Sequence, residues 1–147
     1  MPSRSILHPT DFSRASRAAF EKALAMAKAG HSRLEIVHVL APVVALPAEG
    51  YVSPQTYEAL TSSATAWAQK QMDRLLKAAR ARGVRARGTI VEGAAHDRIV
   101  RAARSLRPEI IVMGTHGRTG LPRLLLGSVA ARVIASAPCP VLTVRGR

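Results

Sequence analysis

The chain has 147 residues, of which 48% are hydrophobic and 3% aromatic, and its formal net charge is +13. This length suits one domain with one core, which Ala, Val, Ile and Leu must fill because aromatic residues are few. No apolar run approaches the ~18 residues of a membrane span, and the N-terminus lacks a signal-peptide core, so we expect a cytoplasmic protein without a membrane partner.

The positive charge is concentrated in the second half of the chain. Residues 1–73 have a net charge of +1, and residues 74–147 have a net charge of +12. Such a surplus can attract nucleotide phosphates, nucleic acid or anionic membrane, and the alternative is a solvated surface. Nucleic acid is not the favoured partner, since the arginines are not interleaved with aromatic residues that would stack on bases.

Hydrophobic periodicity predicts five strands that alternate with four helices. The predicted strands are Ser5 to His8, Leu34 to Leu40, Val84 to Val91, Glu109 to Met113, and Cys139 to Val144. Ser13 is the predicted N-cap of the first helix, and Gly30 is its predicted C′ residue. The second helix is predicted to begin at Ser53-Pro54 and to end at Gly83. Gly93 precedes the third helix, and Ser128 is the predicted N-cap of the fourth. This alternation is typical of a doubly wound parallel sheet with helices on both faces, an α/β fold.

Several side chains receive structural interpretations from the same periodicity. Leu106 in the third helix and Ile134 in the fourth are expected to face the core. Arg85 and Arg87 alternate with apolar residues, which favours the edge of the sheet. The single Cys139 is interpreted as a buried structural thiol within the last strand.

The segment from Gly114 to Ser128 combines a glycine-rich loop with a helix start. It follows the buried run that ends in Met113. Glycines let backbone amides approach a ligand and permit positive φ, and a helix N-terminus binds anions through its unpaired N–H groups. The sequence therefore predicts a phosphate-binding loop here, with a flexible connector as the alternative.

The spacing of this loop is Gly114, two residues, Gly117, nine residues, and Gly127-Ser128. It resembles the nucleotide-binding motif of the universal stress protein family, specifically its ATP-binding branch. The resemblance extends to Ile6–Ser13 near the start and Cys139–Val144 near the end, and thus implies one domain over residues 1–147. Together with this resemblance, the element order predicts the strand order 3-2-1-4-5, in which Asp11 and Gly114 share the crevice where the winding reverses.

The resemblance implies ATP as the bound cofactor. It places Asp11 on the ribose or adenine side, Val39 beside the base, and Met113 in the adenosine pocket. The triphosphate would be held by backbone N–H groups, the Ser128 hydroxyl and the Arg118 charge. The complete set of implied cofactor-binding residues is Pro9, Thr10, Asp11, Val39, Met113, Gly114, His116, Gly117, Arg118, Gly127, Ser128 and Val129.

Two members of this set have alternatives that the residues leave open. Asp11 can also serve as an N-terminal cap or dipole partner of the first helix. His116 can contact a phosphate or remain solvated. Trp67, outside the set, is interpreted as a packing residue rather than a stacking partner of the ligand.

Catalysis has less support than binding. The GxxxxGK[ST] motif of P-loop ATPases is missing, and no catalytic residue or protein metal site is predicted. Mg²⁺, if bound, would be held mainly by the phosphates and water. We therefore expect a nucleotide-dependent regulator or sensor in stress response, with a slow ATPase or nucleotidyl-transfer enzyme and a basic nucleic-acid-binding module as alternatives.

The last strand also predicts a partner. Val141 to Val144 is apolar, uncharged and expected at a sheet edge, and such an edge invites pairing with another strand. The family resemblance implies the same contact, since its members commonly dimerise through these strands. We expect a homodimer with two-fold symmetry.

Overall fold

The computed structural model describes residues 4–42, 50, 52–116 and 125–146. Its strands are β1 (Ser5–Pro9), β2 (Arg33–Leu40), β3 (Ala86–Glu92), β4 (Ile110–Gly114) and β5 (Val141–Val144). Its helices are α1 (Arg14–Ala29), α2 (Pro54–Ala81), α3 (Ala95–Leu106) and α4 (Ser128–Ser136). All strand pairs are parallel and their order is β3-β2-β1-β4-β5, which confirms the predicted α/β fold and strand order.

The sheet separates two apolar cores. On one face, Phe20 and Leu24 of α1 and Met72 of α2 pack against β1, β2 and β4. On the other face, Ile99 of α3 and Val133 of α4 pack against the same strands. Every residue of β1 is buried, as expected for a central parallel strand that is covered on both faces.

The helix ends agree with the sequence in most places. Ser13 caps α1 by accepting a hydrogen bond from the Ser16 N–H at 3.2 Å, and Ser53 caps α2 in the same way. Gly83, just after α2, has φ +74°, which glycine adopts without strain. The C′ assignment for Gly30 is wrong: Gly30 is the C-cap at φ −88°, and His31 takes the positive φ of 51° instead.

Two predicted strand boundaries are also wrong. Val84 is buried but lies before β3, because its N–H donates to the Ala79 carbonyl at the end of α2 rather than to a strand. Cys139 lies two residues before β5 and is only partly buried. The interpretation of Cys139 as a fully buried thiol is therefore also wrong, although partial desolvation raises the pKa of the thiol.

Two predicted inward-facing side chains are exposed instead. Ile134 is 46% exposed and Leu106 is 37% exposed. Ala130 and Val133 provide the buried face of α4, so the apolar stripe is rotated away from Ile134. No helix within the described ranges is long and apolar enough to cross a membrane.

His8 is a buried polar residue at the centre of the sheet. Its ring is fully buried, and Nδ1 donates a hydrogen bond of 2.8 Å to the Val112 carbonyl of β4. Nε2 has no hydrogen-bond partner among the described residues. Because burial penalises the imidazolium, the pKa of His8 falls from 6.5 to about 4.

This lowered pKa predicts acid sensitivity. The unfolded chain takes up the His8 proton near pH 6.5, but the folded chain takes it up only near pH 4. The free energy of unfolding is therefore unaffected by His8 above pH 6.5 and decreases as the pH falls from 6.5 to 4. The loss is about 3 kcal/mol, since one pKa unit corresponds to about 1.4 kcal/mol. Urea unfolding of wild type and His8→Asn, in which the amide retains a donor, should show a shallower decline in the variant. Parallel stability curves across this pH range would contradict the assignment.

Candidate functional site

A cavity of about 280 Å³ lies at the carboxyl ends of β1, β2 and β4, beside the N-terminus of α4. This position is where the winding of the sheet reverses, since β1 lies between β2 and β4. Ligands of open α/β sheets bind at such positions because the connecting loops diverge there. The cavity is therefore the candidate site of this fold.

Ten of the twelve predicted site residues line this cavity. They come from the β1 turn, the end of β2, the end of β4 and the start of α4. Gly117 and Arg118 lie outside the described residues. The lining residues that the sequence indicated are Pro9, Thr10, Asp11, Val39, Met113, Gly114, His116, Gly127, Ser128 and Val129.

The cavity also contains residues that the sequence analysis did not identify. Val37 shares the strand face of Val39 two residues later, so period-2 alternation would have indicated it. The contributions of Ser16 and of α3 depend on helix packing, for which the motif carries no signal. The additional lining residues are Ser16, Val37, Ala95, Ile99, Thr115 and Ala130.

The turn after β1 is fixed through Thr10. The Thr10 N–H donates to the Val37 carbonyl at 2.8 Å, and the Thr10 carbonyl accepts from Nδ1 of His38 at 2.7 Å. The Thr10 hydroxyl lies 2.7 Å from the Ser16 hydroxyl and accepts from the Phe12 N–H at 3.0 Å. Phe12 has a positive φ of 61°, an unfavourable conformation that these bonds hold in place.

Asp11 both supports the turn and lines the cavity. One carboxylate oxygen, Oδ1, accepts a hydrogen bond of 2.9 Å from the Ser13 N–H, which forms an Asx turn directly before α1. Ser13 itself is the N-cap, so the interpretation of Asp11 as the N-cap of α1 is wrong. The carboxylate still lies close to the positive end of the α1 dipole, where a negative charge is stabilised.

Gly127 has a structural role that the sequence did not indicate. It is the N-cap of α4 with φ −59°, and its N–H donates to the Thr115 carbonyl at 2.7 Å. A Cβ at this position would lie 2.8 Å from that carbonyl oxygen. Its φ is negative, so glycine is needed here because the Thr115 backbone approaches so closely, not for a positive φ. The predicted N-cap role of Ser128 is also wrong, because Ser128 is the first helical residue.

Gly114 likewise permits a close backbone contact. Its φ is not positive, and an added Cβ would lie 3.3 Å from the backbone of Ala15 in α1. The two described glycines of the motif thus let the end of β4 pack against α1 and against the start of α4. They shape the cavity through contacts within the protein.

The cavity has an apolar side and a polar side. Val39, Ile99 and Met113 are among the residues that form the apolar side. On the polar side, the Thr115 hydroxyl lies 2.8 Å from Nδ1 of His116. The first amides of α4 have no acceptor within the helix, so this side can accommodate an anionic group.

Trp67 of α2 packs outside the cavity. Its ring lies edge-on to Phe12 with centroids 5.5 Å apart, and Phe12 in turn contacts the ring of His38. Trp67 remains 42% exposed. Its contacts agree with a packing role behind the β1 turn.

Comparisons with known proteins identify relatives over nearly the whole chain. The model of the universal stress protein family matches residues 2–145. Universal stress protein MJ0531 of Methanocaldococcus jannaschii is 38% identical over 144 residues, which cover 97% of this chain and 82% of the relative. The structure of MJ0577 from the same organism has a TM-score of 0.84 at 30% identity and covers 100% of this chain and 99% of that one. A universal stress protein from Archaeoglobus fulgidus in complex with dAMP has a TM-score of 0.69 at 22% identity, covering 98% and 99%.

The contact between Gly127 and Thr115 gives a direct test of the site geometry. Gly127→Ala should lower the free energy of unfolding by about 1–3 kcal/mol, because the new methyl group overlaps the Thr115 carbonyl. Ser128→Ala should change it by less than about 0.5 kcal/mol, since the exposed Ser128 side chain makes no capping bond. Chemical denaturation of both variants measures the difference. Equal stability of Gly127→Ala and wild type would show that the backbones do not approach so closely.

Proposed function

The chain belongs to the universal stress protein family, and we propose that it is an ATP-binding member that acts as a nucleotide-dependent regulator or sensor in stress response. The observation that carries the proposal is the cavity at the β1–β4 switch point, which combines an apolar side with the N-terminus of α4. These two features suit the two ends of a nucleotide. The base is flat and largely apolar, whereas the phosphates are anionic.

The nucleoside fits the part of the cavity that β1, β2 and β4 form. Val37 and Val39 offer an apolar surface for a base, and Met113 closes it from β4. Asp11 supplies a carboxylate that can accept hydrogen bonds from ribose hydroxyl groups.

The phosphates fit the start of α4. The Gly127 N–H is engaged with Thr115, so the next amides of the helix are the ones available to an anion. The cavity volume of about 280 Å³ lies near the lower limit for small-molecule sites, roughly 300 Å³. The described cavity thus suits the nucleoside, with the triphosphate extending past Ser128. Gly117 and Arg118 are proposed to complete the phosphate contacts, and Mg²⁺ would be held mainly by the phosphates.

A binding role agrees with the chemistry of the lining residues. Asp11 is the only carboxylate among those that the structure describes, and its position is tied to the Asx turn. A hydrolase needs groups that orient water and neutralise the leaving phosphate. The cavity and the spacing of the glycine motif support ATP as the ligand. Measurement of phosphate release from ATP distinguishes binding from turnover.

We also propose a homodimer through β5. This strand lies at the edge of the sheet and bears no charged side chain. The carbonyls of Pro140 and Val144 accept hydrogen bonds from the β4 side. Since backbone groups alternate along a strand, the N–H and C=O groups of Val141 and Thr143 point to the open edge, where a second copy can pair.

The division of the nucleotide between two groups predicts different effects of two substitutions. Asp11→Ala should weaken ATP and adenosine by the same factor, roughly tenfold or more, because it removes a charged hydrogen-bond acceptor at the nucleoside. Arg118→Ala should weaken ATP much more than adenosine. Isothermal titration calorimetry with both ligands measures these ratios.

Ser13→Ala is the matched control for the β1 turn. It removes the capping hydroxyl of α1, at a cost of about 1 kcal/mol in stability, but leaves the N–H that Asp11 accepts. ATP affinity should stay at the wild-type value in this control. The proposed arrangement would be refuted by Asp11→Ala binding both ligands as wild type does.

The alternation along β5 predicts which proline breaks the dimer. Thr143→Pro removes an outward N–H and should give monomers with little loss of stability. Leu142→Pro removes an inward N–H and should destabilise the sheet, because Leu142 pairs with β4. Sedimentation equilibrium at micromolar concentration and thermal unfolding together distinguish the two. A wild-type monomer, or a Thr143→Pro dimer of unchanged affinity, would rule out this interface.

A further inference from the structure

Four exposed arginines lie on one side of the molecule, away from the cavity. They are Arg85 and Arg87 at β3 and Arg104 and Arg107 at the end of α3. We call this set the arginine face. Arg87 lies in β3, at the edge of the sheet, and Arg85 directly precedes that strand.

The sheet brings Arg85 and Arg87 to the α3 side. Val91, on the same strand face as Arg87, packs in the core that contains α3, whereas Ile90 packs against the opposite core. Odd-numbered residues of β3 therefore point towards the α3 layer. Residues two apart on a strand are about 6.6 Å apart, so the two guanidinium groups start from neighbouring positions on one face.

The packing of α3 brings its arginines to the same side. Ala102 packs in the core that α3 shares with α4, while Val100 is buried but lies outside that cluster. Val100 lies about 200° around the helix from Ala102, and therefore on the flank of α3 that faces away from α4. Arg104 is four residues after Val100, so it lies on the same flank one turn closer to the C-terminus of α3. Arg107 follows at the C-cap, with φ 49°.

The arginine face has little negative charge to balance it. The ion pairs of the described residues join Arg4 to Glu109, Arg33 to Glu35, Arg82 to Glu21, and Arg101 to Asp97. None of them includes a member of the arginine face. Glu35, which lies beside Arg87 on β2, is 3% exposed and contacts Arg33 at 2.5 Å, so its charge is already compensated.

We propose that the arginine face binds the phosphate backbone of duplex nucleic acid without sequence preference. Arginine forks match phosphate geometry, and arginines without an ion pair among the described residues can release counterions from a duplex on binding. A single strand is not the preferred form, because the described aromatic residues lie in the β1 turn (Phe12), on α1 and on α2, on the other face of the sheet, where they cannot stack on bases. An anionic membrane is less suited, since Leu106 is the only exposed large apolar side chain among the described residues of α3 and offers little area for insertion.

This surface is independent of the proposed nucleotide site. The cavity opens at the carboxyl ends of the strands, whereas Arg85 precedes β3 and Arg107 follows α3, both at the amino ends. Loss of ATP binding would therefore leave duplex binding intact, and the reverse also holds. The two sites can be tested separately on the full chain.

The test measures binding of a fluorescently labelled 20-base-pair duplex by anisotropy at several salt concentrations. In the arginine-face variant, Arg85, Arg87, Arg104 and Arg107 are all replaced by glutamine. The slope of log K against log salt should become less steep by about 0.9 for each arginine–phosphate pair that the substitutions remove, and by roughly 3.6 if all four arginines bind phosphates. ATP affinity, measured in parallel, should not change.

The control removes the same amount of charge from the other face of the sheet. Lys70, Arg74, Lys77 and Arg80 are exposed on α2, and their fourfold glutamine variant should retain the wild-type slope. Equal changes of slope in both variants would show that net charge alone attracts the duplex, and would overturn the proposal. It would also fail if wild type bound no duplex at 50 mM salt, or if it bound phosphatidylserine vesicles but no duplex.

Discussion

The hydrogen bonds of Thr10 are the constraint on which the candidate site depends. Its N–H, carbonyl and hydroxyl groups are all engaged, with partners on β2, on α1 and within the turn itself. They hold Phe12 at a φ that its side chain disfavours. Without this network, neither the Asx turn of Asp11 nor the start of α1 would have a fixed position. A local turn thus determines where one wall of the cavity lies.

The opposite wall depends on close backbone contacts. Gly114 lets the end of β4 approach Ala15, and Gly127 lets the start of α4 approach Thr115. The cavity remains between these walls because β1 and β4 are neighbours whose following helices lie on opposite faces of the sheet. The two described glycines of the motif, Gly114 and Gly127, are therefore explained by packing within the protein, and the same packing sets the position of the α4 N-terminus, where we propose the anion binds.

Local patterns were sufficient for much of this account. Hydrophobic runs and their alternation predicted five strands and four helices, and the placement of Asp11 and Gly114 in one crevice followed from the strand order. The pattern could not locate the helix start at Gly127, because that start depends on a bond to Thr115 across the loop. His8 and His38 were missed for the same reason: their partners, Val112 and Thr10, are 104 and 28 residues away in sequence.

The central claim is that ATP binds between the β1 turn and α4. Its most direct test is a titration of ¹⁵N-labelled protein with ATP, followed by NMR of the backbone amides. The account predicts saturable shifts at Thr10, Asp11, Thr115 and Ser128, with none at Arg85 or Arg104 at moderate salt. Absence of saturable shifts, or shifts confined to the arginine face, would contradict it.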